Sequence, residues 1–211
     1  MPGVETKSLG RLTIIFMSSG TVYSYLVDNN DRIVAVSSNW SRFAKDNHAH
    51  FLGAGQLIGR PLFKHLADKE TKFLYKSLLS KCRGKPGTNI RFKFRCDSPE
   101  LRRFMEMHMN HKGSGLVEFT STILRKEKRT RVEFMDPSIP RSQNSIQVCS
   151  WCKCLGIDGQ WMEVEEAING SDLFDSYPLP QINHCTCPDC YLGIMQSMDT
   201  FPTSSGDLGQ G

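Results

Sequence analysis

Cysteine is the residue type whose spacing carries chemistry in this chain. There are eight, and six of them, Cys149, Cys152, Cys154, Cys185, Cys187 and Cys190, fall in one C-terminal region. Cys149 with Cys152, and Cys187 with Cys190, form two Cys-x2-Cys pairs. Each such turn presents two thiolates to one ion, and two turns complete the tetrahedral S4 set that suits zinc, with bonds of about 2.3 Å. His184, Cys154 and Cys185 are close enough in sequence to replace one of those four as ligand. The same residues also fit a thiol-disulfide switch, since a cysteine in a Cys-x2-Cys pair has a lowered thiol pKa and His184 stands beside the second pair. Structural zinc is the favoured expectation. The residues around the cysteines include few large apolar groups, and a bound ion would supply the missing folding free energy.

Those cysteines need elements to hold them. The run Val22–Val27 (VYSYLV), a polar turn at residues 28–31 (DNND) and Ile33–Val36 (IVAV) spell a β-hairpin. Ser38 or Asn39 then caps a short helix through Trp40, Phe43 and Ala44. From Gly59 a period of three and four sets in: Leu62, Leu66, Glu70, Phe73, Leu74, Ser77, Leu78 and Cys82 predict one amphipathic helix, closed by Gly84, Pro86 and Gly87. Cys82 on that stripe reads as a small buried hydrophobe. Ile90, Phe92, Phe94 and Cys96 alternate strictly with Asn89, Arg91, Lys93 and Arg95, which predicts a strand with the second set facing water. Residues 104–109 (FMEMHM) and 116–124 (LVEFTSTIL) predict two more strands, joined by a turn at Gly113 and Gly115.

This order of elements resembles PAS-like sensor domains of bacterial signalling proteins, including sensory histidine kinases. The stretches YLVDNNDRIVAVSSNWSRFAKDN, IGRPLFKHLADKETKFLYKSLL and IRFKFRCDSPELRRFMEMHM carry the resemblance. It implies an α+β fold: a PAS-like five-stranded antiparallel sheet with helices on one face, plus a small cysteine-rich C-terminal module. It also implies an interior that holds a small molecule or is simply packed; Trp40, Phe43, Phe73, Phe92, Phe94 and Met107 are the candidate pocket lining or, equally, plain core. The ligand of such a pocket is not readable. Gly59-Arg60 is followed by Pro61, Leu62 and Phe63 rather than by the cysteine of flavin photosensors, so flavin photochemistry is excluded. His65 is read as a surface or hydrogen-bonding residue rather than a haem ligand.

The C-terminal region separately resembles a cysteine motif found at the end of some bacterial PAS-containing proteins. Cys149, Ser150, Trp151, Cys152, Gly159, Trp161, Glu165, His184, Cys187, Pro188 and Cys190 fit it, while Cys185 stands where that pattern has glycine and Cys154 is an addition. Trp151 and Trp161 are expected to pack around the site.

The expected organisation is an N-terminal extension (1–20), a PAS-like domain (21–127), a linker (128–147), the cysteine module (148–196) and a disordered tail (197–211). Residues 12–17 (LTIIFM) are far too short to span a bilayer and lack a cleavage pattern, so a cytoplasmic protein is expected; they are the candidate homodimer contact. A net charge of +4 and one interrupted basic run, residues 125–131 (RKEKRTR), do not make nucleic acid an expected partner. With no P-loop, nucleophile elbow, H-E-x-x-H or kinase signature, no catalytic residue is assigned. The expectation is a non-catalytic sensor or regulator working through a protein partner. The alternatives are a thiol-based redox regulator and a zinc-ribbon-like nucleic-acid or protein adaptor.

Overall fold

A computed structural model describes residues 8–9, 12–13, 22–46, 53–66, 68–85, 87–175 and 177–199. Two short paired strands, β1 (Ser8–Leu9) and β2 (Leu12–Thr13), precede the body of the fold. The rest of the candidate dimer contact, residues 14–17, and the tail beyond 199 lie outside the described residues; residues 197–199 close the last helix.

The hairpin forms as its alternation and turn dictate. Strands β3 (Val22–Val27) and β4 (Ile33–Val36) pair antiparallel. The Asp28 carboxylate accepts the N–H groups of Asn30 and Arg32, tying the turn to itself. Helices α1 (Trp40–Asp46) and α2 (Ala54–Leu57) follow. The single helix expected from Gly59 is instead two pieces. A 3-10 turn, Leu62–His65, ends where Leu66 is extended, and the long helix α3 (Lys69–Gly84) starts after Asp68. Asp68 is the reason for the restart: its carboxylate accepts the Thr71 N–H at 2.6 Å, an N-cap that fixes the first turn. Thr71, Leu74, Leu78, Leu79 and Cys82 form the buried stripe of α3.

Strands β5 (Asn89–Arg95), β6 (Leu101–His111) and β7 (Val117–Lys128) complete a five-stranded antiparallel sheet of order β4-β3-β7-β6-β5. Met105, Met107 and Met109 line its inner face with Phe92, Ile90 and Phe119, all buried. Arg95 departs from the expected wet face: it is 6% exposed, because Asp97 and Glu163 meet its guanidinium.

The stretch expected as linker is structured. Phe134, in a 3-10 turn at Glu133–Met135, is 1% exposed, and β8 (Arg141–Cys149) begins inside it. A second, mixed sheet of order β10-β9-β8-β11 follows, built from β8, β9 (Leu155–Ile157), β10 (Gln160–Met162) and β11 (Leu179–Cys185). Asp158 and Gly159, both at positive φ (+49° and +80°), make the two-residue turn joining β9 to β10. Between β10 and β11 lies α4 (Val164–Gly170), and α5 (Pro188–Asp199) ends the described chain. Among the described residues no helix is long and apolar enough to cross a membrane.

The cysteine region is not a satellite. Cys149, Trp151, Cys187, Ile194 and Met198 belong to the same buried cluster as Leu74, Leu78, Phe92 and Phe119 of the first sheet and α3. Helix α5 packs on α3 and on β5. A separate core of Val132, Phe134, Ile146, Val148, Leu155, Val164, Ala167 and Leu179 lies in the second sheet. A partly buried ion network joins the two sheets. Arg95 bridges Asp97 and Glu163, Arg102 bridges Glu163 and Glu165, and Arg129 reaches Glu165 and Asp97.

Candidate metal centre

Parallel pairing of β8 with β11 brings the two Cys-x2-Cys turns together. Register partners run from Ile182↔Ile146 to Cys185↔Cys149, and Ser150 N–H extends the ladder to the Cys185 carbonyl at 2.7 Å. Both strands point the same way, so both release the chain at one end of the sheet. There the first turn closes with Cys149 N–H to Cys154 O at 2.9 Å and Lys153 N–H to Cys149 O at 3.1 Å. Lys153 takes φ +66°, the left-handed conformation that turns the chain back. The second turn opens α5, with Pro188 at its first position, where the missing N–H costs nothing. Its sulfurs therefore sit at a helix N-terminus, which favours thiolate.

The Sγ atoms of Cys149, Cys152, Cys187 and Cys190 all lie within 4.8 Å of one another. A tetrahedron with metal–sulfur bonds of about 2.3 Å has sulfur–sulfur edges of about 3.8 Å; Cys152 Sγ is 3.8 Å from Cys187 Sγ. Backbone donors already face the sulfurs. Trp151 N–H and Cys187 N–H point at Cys149 Sγ (3.5 and 3.4 Å), and Cys190 N–H points at Cys187 Sγ (3.5 Å). Amide donors stabilise a thiolate and not a neutral thiol. Cys149 and Cys187 are buried, while Cys152 and Cys190 are half-buried.

Such crowding has an electrostatic consequence. Side-chain hydrogen bonding with the neighbouring Cys149, Cys154 and Cys190 thiols holds the Cys152 thiol far below its usual range. The hydrogen bonds to Cys149 and Cys152, together with burial, push Cys190 far above the usual range. Burial, with charge at Cys149 and Cys152, pushes Cys187 up to about 12. Four thiolates cannot share this volume unaided, and a dication among them removes the penalty. The donor set, its edge length and its amide donors fit one tetrahedral, thiophilic ion such as zinc.

The structure sorts the alternative ligands. Side-chain hydrogen bonding with Cys152, together with burial, pushes the Cys154 thiol far above its usual range. Cys185 donates to the Val148 carbonyl at 3.8 Å, and burial pushes its pKa up to about 11. His184 is exposed on β11. None of the three joins the group of four sulfurs.

Both tryptophans pack, as expected. Trp151, 3% exposed, stacks on Tyr75 (5.4 Å) and meets Phe92 edge-on (5.3 Å). The Trp161 ring lies over Gly156, where a Cβ would meet it at 3.2 Å.

The six candidate pocket residues are not gathered around one space. Phe73 is 51% exposed, because it precedes Leu74 on α3 and turns outward when Leu74 turns in. Trp40 meets Tyr25 edge-on and Phe43 stacks near Tyr23. Phe92 and Met107 are buried core. Phe94 lines a groove of about 160 Å³ with Met105, Leu124, Trp151, Cys152 and Cys190. Behind the sheet Tyr25 stacks on Phe119 (4.6 Å) and Tyr75 lies over the same Phe119 ring (6.0 Å); burial pushes Tyr75 up to about 12.

Sequence reasoning missed the polar cluster beneath the sulfurs. Asp68 accepts from Ser150 Oγ and Thr71 Oγ1, each at 2.8 Å, and Trp151 Nε1 donates to Thr186 Oγ1 at 3.2 Å. The only signal was Asp68 three residues ahead of Thr71, an N-cap pattern. Comparison with protein-family models and with curated proteins returned no match to this chain.

Proposed function

We propose that this chain is a non-catalytic, PAS-type sensor or regulator whose C-terminal cysteines bind one zinc ion in a structural thiolate centre. The observation that carries the metal reading is the convergence of four sulfurs from two turns within 4.8 Å. Supporting the PAS-type reading is the strand order. Numbered within the five-stranded sheet, it runs 2-1-5-4-3, with the intervening helices between the second and third strands. The interior is packed with aromatic rings, which favours signalling through a protein partner over a bound small molecule.

Elemental analysis of the reduced, purified chain tests the metal reading. About one zinc per chain, with four thiols shielded from a thiol reagent, is the expected result; no metal with all thiols freely oxidised would sink it. In the second case the cysteines would act as a redox regulator, a role that the half-buried Cys152 and Cys190 and the neighbouring Cys154 thiol make chemically available.

A further inference from the structure

A single line of hydrogen bonds runs beneath the sulfurs. Trp151 Nε1 can only donate, and it does so to Thr186 Oγ1 at 3.2 Å. The ionised Asp68 carboxylate can only accept, and its Oδ2 takes the Thr71 hydroxyl at 2.8 Å. These fixed ends set the direction of the remaining link: Thr186 Oγ1 donates to Thr71 Oγ1 at 3.1 Å. All donors thus point the same way, toward a carboxylate that is 9% exposed. Ser150 Oγ supplies a second donor to Oδ2, at 2.8 Å.

The attachment points of this line matter. Ser150 and Trp151 lie between the ligands Cys149 and Cys152, and Thr186 immediately precedes Cys187. Asp68 and Thr71 are the N-cap and first turn of α3, whose buried side packs on the five-stranded sheet. One carboxylate therefore holds the first cysteine turn directly through Ser150, the start of the helix through Thr71, and the second turn through the Thr71–Thr186 bond. We infer that Asp68 is the positioning residue of the metal centre, so that filling the centre and ordering the first turn of α3 are one coupled equilibrium. This rests on the metal-binding reading and adds its transmission route: a change at the sulfurs reaches the first sheet through Asp68.

Asp68→Asn separates the roles. Asparagine caps helices as well as aspartate, so the Thr71 N–H keeps its acceptor. The amide NH2 that replaces Oδ2 cannot accept from Ser150 or Thr71. In the full chain, competition of zinc against a chromophoric chelator should show affinity reduced 10- to 100-fold in D68N. The cobalt(II)-loaded variant should have a shifted sulfur-to-cobalt absorption band. Hydrogen exchange of the amides in the first two turns of α3 should slow on metal binding in the wild-type chain and respond less in D68N. Ser150→Ala, which leaves the Asp68–Thr71 cap whole, should lose several-fold in affinity and serves if D68N does not fold. Wild-type affinity and an unshifted band in both variants would overturn the positioning role alone. A wild-type chain that binds neither zinc nor cobalt would overturn the metal reading with it.

Discussion

The backbone N–H of Arg95 donates to the carbonyl of Trp151 at 2.7 Å. Arg95 is the last residue of edge strand β5, and Trp151 lies inside the first cysteine turn. The turn thus continues the five-stranded sheet where its ladder would otherwise end, and the indole enters the core between Tyr75 and Phe92. An unpaired strand edge is a liability in a folded protein, and here the cysteine turn covers part of one.

Replacing Trp151 should therefore disturb both sheets. Trp151→Ala removes a buried indole and is expected to cost about 3–5 kcal/mol in urea unfolding. Trp151→Phe keeps an aromatic in the stack and loses only the Nε1–H bond to Thr186, so its cost should be about 1 kcal/mol plus the volume lost. Equal losses for the two would mean that packing against Tyr75 and Phe92 contributes little.

Serine at Cys149, Cys152, Cys187 or Cys190 should abolish stoichiometric zinc as read by elemental analysis. Serine at Cys82, Cys154 or Cys185 should leave about one ion per chain. Burial pushes Cys82 up to about 11, so it should stay unalkylated at pH 8 until the chain unfolds. Loss of zinc in the Cys154 or Cys185 variant would assign the ligands differently.

If the ion binds only the folded chain, stability must follow free zinc by mass action. Raising free zinc to about 100 times its dissociation constant should add about 2.7 kcal/mol. The midpoint of thermal unfolding, followed across a zinc buffer series, checks this; a midpoint independent of zinc contradicts it.

The ion network between the sheets makes a prediction of its own. The Asp97 side chain is fully enclosed, with Arg95 at 2.5 Å as its nearest partner and Arg129 at 3.7 Å. Arg95→Met leaves that carboxylate short of its main partner and should destabilise the fold by about 3–5 kcal/mol. Denaturant unfolding measures it, and a loss under about 1 kcal/mol would show that Arg129 suffices.

Glu165 gives the network a pH signature. Burial would raise its carboxyl, but bonds from its own backbone N–H and from Arg102, with the charges of Arg102 and Arg129, together hold it below the ordinary 4.5. A depressed carboxyl stabilises the fold fully above its unfolded value and loses that contribution as pH falls through the folded one. The stability gap between wild type and Glu165→Gln should be constant above about pH 4.5 and close below it. A gap that widens on acidification would reverse the sign.

The strands of the first sheet and the pairing of four cysteines were legible in the sequence because each is a short-range pattern, whereas the second sheet was not. Strict alternation in Ile90, Phe92 and Phe94 gives β5, and the two Cys-x2-Cys spacings give the four cysteines that cluster. What stayed hidden depends on residues far apart in the chain. Arg95 reads as a wet residue until Glu163 arrives to pair it. Residues 128–147 read as linker because Pro137 and Pro140 stand among Ser and Asn; β8 is held there by its parallel partner β11. Asp68 fell inside the single helix expected from Gly59, and nothing local tied it to Ser150 or Thr186.

Parallel pairing of β8 and β11 also dictates an order of assembly. Cys152 and Cys187 are 35 residues apart, and the strand that aligns the second turn follows β9, β10 and α4. A chain emerging from the ribosome with only its first turn exposed offers two sulfurs and no partner strand. It can hold an ion loosely at best. The four sulfurs converge only when β11 pairs with β8, so a metal-binding site of this kind would exist only in a chain that has already made that long-range contact.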